Sequence, residues 1–123
     1  MKTRAFPWYK EEDWRTYDAL EKGYDTFYVD IDGKELTRVK AVHLLDKLGV
    51  GYTADVFKTR KGYHVKAYLR KAVPGLRLLP VVLEFGCDPL YVRRWLSRQG
   101  FAIFRVRRGV ENEKHLYTLR SKK

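Results

Sequence analysis

The chain has 123 residues, of which 45% are hydrophobic and 15% aromatic. This length suits one domain with its own core and is too short for two ordinary domains. The formal net charge is +11, from 26 Lys and Arg residues against 15 Asp and Glu residues. Such an excess attracts polyanions and makes their binding depend on salt, but it does not say which polyanion. An anionic membrane surface or an acidic protein would satisfy the same charge balance.

Cysteine content and hydropathy predict where the protein works. Cys87 is the only cysteine, which excludes an intramolecular disulfide and a cysteine-rich zinc module. An intracellular, cytoplasmic location is expected, because small secreted domains usually need disulfides. The first ten residues lack the apolar core of a signal peptide, and no apolar run is long enough to span a membrane.

The first predicted elements are an extended arm over residues 1–9 and a short helix over residues 10–22. The clearest strand follows over residues 25–32, where apolar and polar side chains alternate. One face carries Phe27, Val29 and Ile31, and the other carries Tyr28, Asp30 and Asp32. Two carboxylates on one face of a strand repel each other unless a cation or basic group lies between them.

An amphipathic helix is predicted over residues 34–48, and a β-hairpin follows it. The arms of the hairpin span residues 52–58 and 63–70, and the second arm alternates strictly. Its apolar face carries Tyr63, Val65, Ala67 and Leu69, and its cationic face carries His64, Lys66, Tyr68 and Arg70. The cationic face is suited to nucleic acid, although lysines that protect a solvated edge strand would give the same pattern.

The next predicted elements are a loop and a helix. Residues 71–80 contain two prolines and a glycine and are predicted to form a loop. A helix is predicted over residues 88–99, because Asp88 is a good N-cap and a proline follows it. Arg93 and Arg94 fall on the outward face of this helix.

The end of the chain is predicted to carry two more strands. They span residues 101–108 and 115–120, and residues 109–114 form a polar turn between them. A basic tail at residues 121–123 ends the chain. We find no internal repeat in the sequence.

The order strand, helix, hairpin, helix, strand predicts an α+β fold of the ferredoxin-like or RNA-recognition-motif (RRM) type over residues 25–120. This fold is an antiparallel sheet with two helices on one face, here with an extra N-terminal helix. Its first and third strands lie side by side in the centre. Because the apolar residues of both strands face the helices, Asp30 and Asp32 are expected to share the open face with His64 and Lys66. Such a patch is suited to hold a divalent metal and a triphosphate.

Two motifs resemble those of the archaeo-eukaryotic primases: a strand ending in Asp-x-Asp, and a glycine-containing hairpin ending in histidine. They are Val29-Asp30-Ile31-Asp32 and Thr59-Arg60-Lys61-Gly62-Tyr63-His64-Val65. The resemblance covers roughly residues 27–108 and implies that Asp30, Asp32 and His64 are catalytic. It implies that the two aspartates bind Mg²⁺ or Mn²⁺ and that His64 contacts nucleotide phosphate. The third motif of that family is an aspartate on a later strand, and neither strand predicted after residue 100 has an acidic residue.

The residues predicted to bind phosphate or nucleic acid are cationic or aromatic. They are Lys58, Arg60, Lys61, Lys66, Tyr68, Arg70, Arg93, Arg94, Arg105 and Arg107. A single strand of DNA or RNA is the favoured partner, because bases stack on aromatic rings while cations follow the backbone. A nucleoside triphosphate is the second expected ligand.

Two alternatives stay open at this point. In a non-catalytic module that binds single-stranded nucleic acid, Asp30 and Asp32 would only form ion pairs with basic neighbours such as Lys66. In a replication-initiator nuclease, His64 would bind a metal and Tyr91 would be the nucleophile. That nuclease needs a second histidine beside the first, at the position that Lys66 occupies.

Overall fold

The computed structural model describes residues 14–98 and 113–122. These residues form an α+β fold with an open, four-stranded antiparallel sheet. The elements are α1 (Trp14–Glu21), β1 (Gly23–Asp32), α2 (Arg38–Asp46), β2 (Tyr52–Thr59), β3 (Gly62–Pro74), α3 (Gly75–Phe85), α4 (Pro89–Arg98) and β4 (Glu113–Arg120). None of the helices in these ranges is long and apolar enough to cross a membrane.

The strands of the sheet follow the order β1-β3-β2-β4. Since β1 and β2 both pair antiparallel with β3, they run parallel to each other and enclose β3 in a split β-α-β unit. The predicted pairing of the first and third strands is therefore confirmed. Within the described residues β1 lies at one end of the sheet and β4 at the other. The predicted arm over residues 1–9 and the predicted strand over residues 101–108 lie outside the described residues.

The core lies between the helices and one face of the sheet. Phe27, Val29 and Ile31 of β1 are fully buried there, as are Val65 and Ala67 of β3. The predicted alternation in both strands is confirmed, since the polar residues between these positions are half-buried or exposed. We call the sheet face that carries these polar residues the open face.

The helix α2 is shorter than the predicted range of residues 34–48. The hydroxyl oxygen of Thr37 accepts a hydrogen bond from the N–H of Lys40 at 3.1 Å and caps its start. Val39 is one of the apolar residues in the predicted helix, but it does not face the core, because it is 80% exposed. The buried stripe runs instead through Ala41, Leu44 and Leu45. Val39 lies two residues before this stripe and therefore on the other side of the helix.

The prediction of a loop over residues 71–80 is wrong. β3 continues to Pro74, and α3 begins at Gly75 and contains Pro80 in its interior. A proline inside a helix removes one backbone hydrogen bond. This cost is offset because α3 buries one whole side in the core. The large side chains buried there are Leu78, Leu79, Val81, Val82 and Phe85.

Gly62 allows β1 and β3 to approach closely next to the predicted site. A Cβ atom at this position would overlap the backbone carbonyl of Ile31. The hairpin turn before it is tied down locally, because Thr59 Oγ1 accepts the N–H of Gly62 at 2.9 Å. The N–H of Gly33 also donates to the carbonyl of Lys61 at 2.7 Å. The turn formed by Arg60 and Lys61, which we call the basic turn, is therefore fixed against the end of β1.

Candidate metal centre

The open face brings the residues of the two sequence motifs together. Asp30 of β1 lies directly opposite His64 of β3, which in turn lies opposite Phe57 of β2. In the next row along the strands, Tyr28 lies opposite Lys66. The expectation that the acidic pair shares one face with the histidine and lysine of the hairpin is confirmed.

A third carboxylate joins the acidic pair. Asp30, Asp32 and Asp88 each offer a carboxylate oxygen, and these oxygens all lie within 4.8 Å of one another. Asp88 reaches this place because the segment between α3 and α4 pairs with the outer edge of β1. Cys87 forms a β-bridge with Ile31, and the N–H of Asp88 donates to the carbonyl of Asp30 at 2.7 Å.

Asp88 also caps α4, as the sequence predicted. Its Oδ1 accepts the N–H of Leu90 at 3.1 Å. A carboxylate has two oxygens with several acceptor sites, so this cap leaves capacity for a further ligand. The sequence indicated only the cap, because the pairing that carries Asp88 to β1 is a tertiary contact between distant segments.

The three carboxylates of this cluster repel one another, and two basic neighbours reduce that repulsion. Burial raises the pKa of Asp32, and the negative charges of Asp30 and Asp88 raise it further, while Lys61 and His64 act in the opposite direction. Beside the cluster, burial also raises the pKa of the Cys87 thiol, to about 12. The thiol is therefore neutral at ordinary pH, and the acidic character of the site comes from its carboxylates.

His64 lies between two carboxylates. Its Nε2 is 3.3 Å from Oδ1 of Asp30, and its Nδ1 is 2.9 Å from Oε2 of Glu113. A ring that donates to carboxylates through both nitrogens is the protonated imidazolium. Burial lowers the pKa of His64, but the hydrogen bonds and charges of these two carboxylates outweigh burial and raise it above its ordinary value. When protonated, His64 therefore places a positive charge against Asp30.

Glu113 extends this chain of charges across the sheet. Its Oε1 accepts from Nζ of Lys66 at 2.9 Å, while its other oxygen faces His64. Since β2 lies between β3 and β4, the Glu113 side chain reaches across β2, where Lys66 Nζ lies 4.6 Å from the centre of the Phe57 ring. Burial raises the pKa of Glu113, but the hydrogen bonds from His64 and Lys66 outweigh it and lower the pKa below the ordinary value.

Sequence reasoning missed Glu113. The pattern predicted a polar turn over residues 109–114, whereas β4 begins at Glu113 itself. A second open-face cluster was also missed, in which Asp55 Oδ1 accepts from Thr118 and lies 3.2 Å from Nε2 of His115. No local motif indicates either cluster, because both join β4 to strands far away in the sequence.

The other predicted binding residues are dispersed. Lys58 lies on the helix side of the sheet, opposite Tyr63, with Nζ 4.5 Å from the centre of that ring. Six of the predicted binding residues are exposed and lie on the hairpin turn, the open face or α4. They are Arg60, Lys61, Tyr68, Arg70, Arg93 and Arg94. Arg105 and Arg107 lie outside the described residues.

The donor chemistry of the acidic cluster fits a hard divalent cation. Mg²⁺ and Mn²⁺ prefer carboxylate oxygens, and three such oxygens within 4.8 Å can face one ion. A cation there would also relieve the repulsion that raises the pKa of Asp32.

Comparisons with known proteins leave this geometry as the basis for any assignment of function. No protein-family model, no curated protein and no solved structure matches the chain. The fold and the site therefore define an open-sheet α+β protein with an acidic cluster at the edge of its polar face.

Proposed function

We propose that this chain is a nucleic-acid-binding protein with a ferredoxin-like or RRM-like core that binds a nucleoside triphosphate through a divalent metal. The core is of the primase type. The observation that carries the proposal is the position of Asp88 beside Asp30 and Asp32. A primase-like site needs a third carboxylate, and the later predicted strands do not supply one. Asp88 meets that need from the start of a helix.

In this proposal Asp30, Asp32 and Asp88 hold Mg²⁺ or Mn²⁺. The metal, when bound, would neutralise phosphate charge and activate an attacking hydroxyl, the chemistry of nucleotidyl transfer. Lys61 lies close enough to Asp32 to lower its pKa, so the basic turn supplies positive charge beside the carboxylates. His64, when protonated, supplies a second positive charge against Asp30.

Nucleic acid would bind farther along the open face. Tyr68 is 43% exposed there, and the aliphatic part of Arg70 lies over Gly51, just before β2. Tyr68 lies opposite Thr53, which in turn lies opposite the exposed Arg120. An exposed ring with two arginines near it on the same face suits a base and its flanking phosphates.

The second candidate is a non-catalytic module that binds single-stranded nucleic acid. The exposed Tyr68 supports this function as much as it supports the metal-dependent one. A stacking surface needs no metal, so metal dependence separates the two functions. The tyrosine nuclease is disfavoured because Tyr91 is only 8% exposed, and burial raises the pKa of its hydroxyl. Packing against the core accounts for this side chain.

The test is binding of a labelled nucleoside triphosphate and of a labelled single-stranded oligonucleotide, each with Mn²⁺ and with EDTA at constant ionic strength. We expect triphosphate binding to need Mn²⁺ and to weaken at least about tenfold in Asp30→Ala/Asp32→Ala. Oligonucleotide binding should change far less. Equal binding of both ligands by wild type and variant would show that the acidic pair is structural.

Asp88→Asn tests the third carboxylate separately. Asparagine is as good an N-cap as aspartate, so α4 should keep its start while the cluster loses one charge. Asp25→Asn is the matched control, because Asp25 is exposed on the same strand and its carboxylate accepts from Thr26 instead. Weakened metal-dependent triphosphate binding in Asp88→Asn alone would support the proposed site.

A further inference from the structure

Glu113 contacts two basic residues of the open face, His64 and Lys66, in a way that resembles a bound phosphate. Its two carboxylate oxygens each contact a different cation, with Oε2 2.9 Å from His64 Nδ1 and Oε1 2.9 Å from Lys66 Nζ. Phosphate oxygens make the same charge-assisted hydrogen bonds with histidine and lysine. The pair of cations is thus spaced to receive two oxygens of one anionic group.

The cations belong to one strand and their anion to another. His64 and Lys66 lie two positions apart on β3, so they point to the same face and the strand fixes the distance between them. Glu113 is the first residue of β4, and its side chain must cross β2 to reach them. The side chains of His64 and Glu113 are only 13% and 17% exposed, so each ion holds the other in a partly desolvated position. A ligand that replaced the carboxylate would have to supply equal or greater negative charge.

We propose that His64 and Lys66 form a phosphate-binding site on the open face and that the Glu113 carboxylate occupies it as an internal competitor. The ligand is a phosphate group, either the terminal phosphates of a nucleotide or a backbone phosphate of a single strand. The site lies beside the metal centre, because His64 Nε2 also faces Asp30. The inference deepens the proposed function and rests on it for the identity of the ligand, but binding at this site needs no metal.

Removal of the competing charge should strengthen binding of phosphate. The isosteric variant Glu113→Gln keeps the size of the side chain and removes the negative charge that His64 and Lys66 now contact. We expect it to bind inorganic pyrophosphate in EDTA about 3- to 10-fold more tightly than wild type does. Lys66→Gln should weaken binding by a similar factor.

Glu84→Gln is the matched control. It raises the net charge by the same single unit, and Glu84 also contacts a lysine at 2.9 Å, Lys47, but on α3 and away from the open face. A gain in Glu113→Gln beyond that of the control supports the competitor. An equal gain in both variants would overturn it, and a loss in Glu113→Gln would show that Glu113 only supports the cations.

Two further measurements keep the inference testable. If Glu113→Gln is poorly folded by circular dichroism, pyrophosphate can be titrated into wild type while the ¹⁵N shifts of the His64 ring and Lys66 Nζ are followed. Unchanged shifts at saturation would overturn the proposal. Parallel titrations with a nucleoside triphosphate and an oligothymidylate, both in EDTA, decide which source supplies the phosphate.

The outcomes remain separate from those of the metal centre. Loss of Mn²⁺-dependent binding in the aspartate variants tests the proposed function. Metal-free pyrophosphate binding in the Glu113 variant tests only the competitor.

Discussion

Oε2 of Glu113 lies 2.9 Å from Nδ1 of His64, although β2 separates the strands that carry them. The contact joins the inner strand β3 to the outer strand β4 by an ion pair that spans a third strand. Because the contact raises the pKa of His64 and lowers the pKa of Glu113, the pair is expected to contribute to the stability of the sheet as well as to its charge pattern.

This pair predicts a pH dependence of stability. The pKa of His64 is raised above 6.5, so its contribution is complete below 6.5 and is lost as the pH rises through the folded-state pKa. The pKa of Glu113 is lowered below 4.5, so its contribution is complete above 4.5 and is lost as the pH falls through the folded-state pKa. The stabilisation by the pair is therefore greatest between pH 4.5 and 6.5.

Denaturant unfolding in EDTA at pH 5.5 and pH 8.5 would measure the stability that is lost when His64 is deprotonated. Between pH 5.5 and pH 8.5, the free energy of unfolding of wild type should fall by on the order of 1 kcal/mol more than that of His64→Gln. An equal loss in both proteins would mean that His64 is not the group that titrates.

The acidic cluster predicts opposite effects of one substitution with and without metal. In EDTA, Asp32→Asn should stabilise the protein by roughly 0.5 kcal/mol, because it removes one of three mutually repelling charges. With Mn²⁺ at about 100 times its Kd, wild type should gain about 2.7 kcal/mol and the variant much less. Thermal unfolding measures both, with Asp25→Asn as the control. A gain from Mn²⁺ that is the same in all three proteins would place the metal elsewhere.

Gly62 predicts a steric requirement next to the site. Gly62→Ala should destabilise the protein by about 1–3 kcal/mol, since its Cβ would force β3 away from the backbone of Ile31. Gly23→Ala is the comparison, because a Cβ there would meet only Cβ of Ala72, at 3.2 Å. Urea unfolding of both variants gives the measurement. A loss no larger in Gly62→Ala than in Gly23→Ala would contradict the close approach of the two strands.

Tyr68 predicts metal-independent binding of single strands. Tyr68→Leu should weaken binding of an oligothymidylate in EDTA by about 1–3 kcal/mol, the contribution of one stacked base. Tyr68→Phe keeps the ring and should bind nearly as wild type does. Fluorescence anisotropy at fixed salt measures all three. If both variants bind like wild type, the strand does not stack on this ring.

Local patterns predicted β1 and the pairing of the hairpin arms β2 and β3 well. In β1 and β3, alternation alone indicated which side chains enter the core, because a strand has only two faces and its apolar residues must share one. The cap and start of α4 were likewise visible in the adjacent Asp88 and Pro89. In α3, by contrast, the local turn residues Gly75 and Pro80 pointed to a loop, and burial of an apolar helix face outweighed them.

The candidate site was predicted only in part. Asp30, Asp32 and His64 were identified because they lie within two short motifs on neighbouring strands. Asp88 and Glu113 were not, since each reaches the open face through contacts with residues far away in the sequence.

The amino-acid order alone was enough to predict which face of β1 and of β3 is apolar, and the composition gave the sign of the net charge. Both follow from the order and composition of nearby residues. Which distant carboxylates meet the two motifs depends on the packing of the folded chain. Asp88 lies beside Asp30 because the backbone of its segment bonds to the edge of β1, and Glu113 meets His64 because its side chain crosses β2. These contacts depend on how whole strands pack together, and no local sequence pattern predicts that packing.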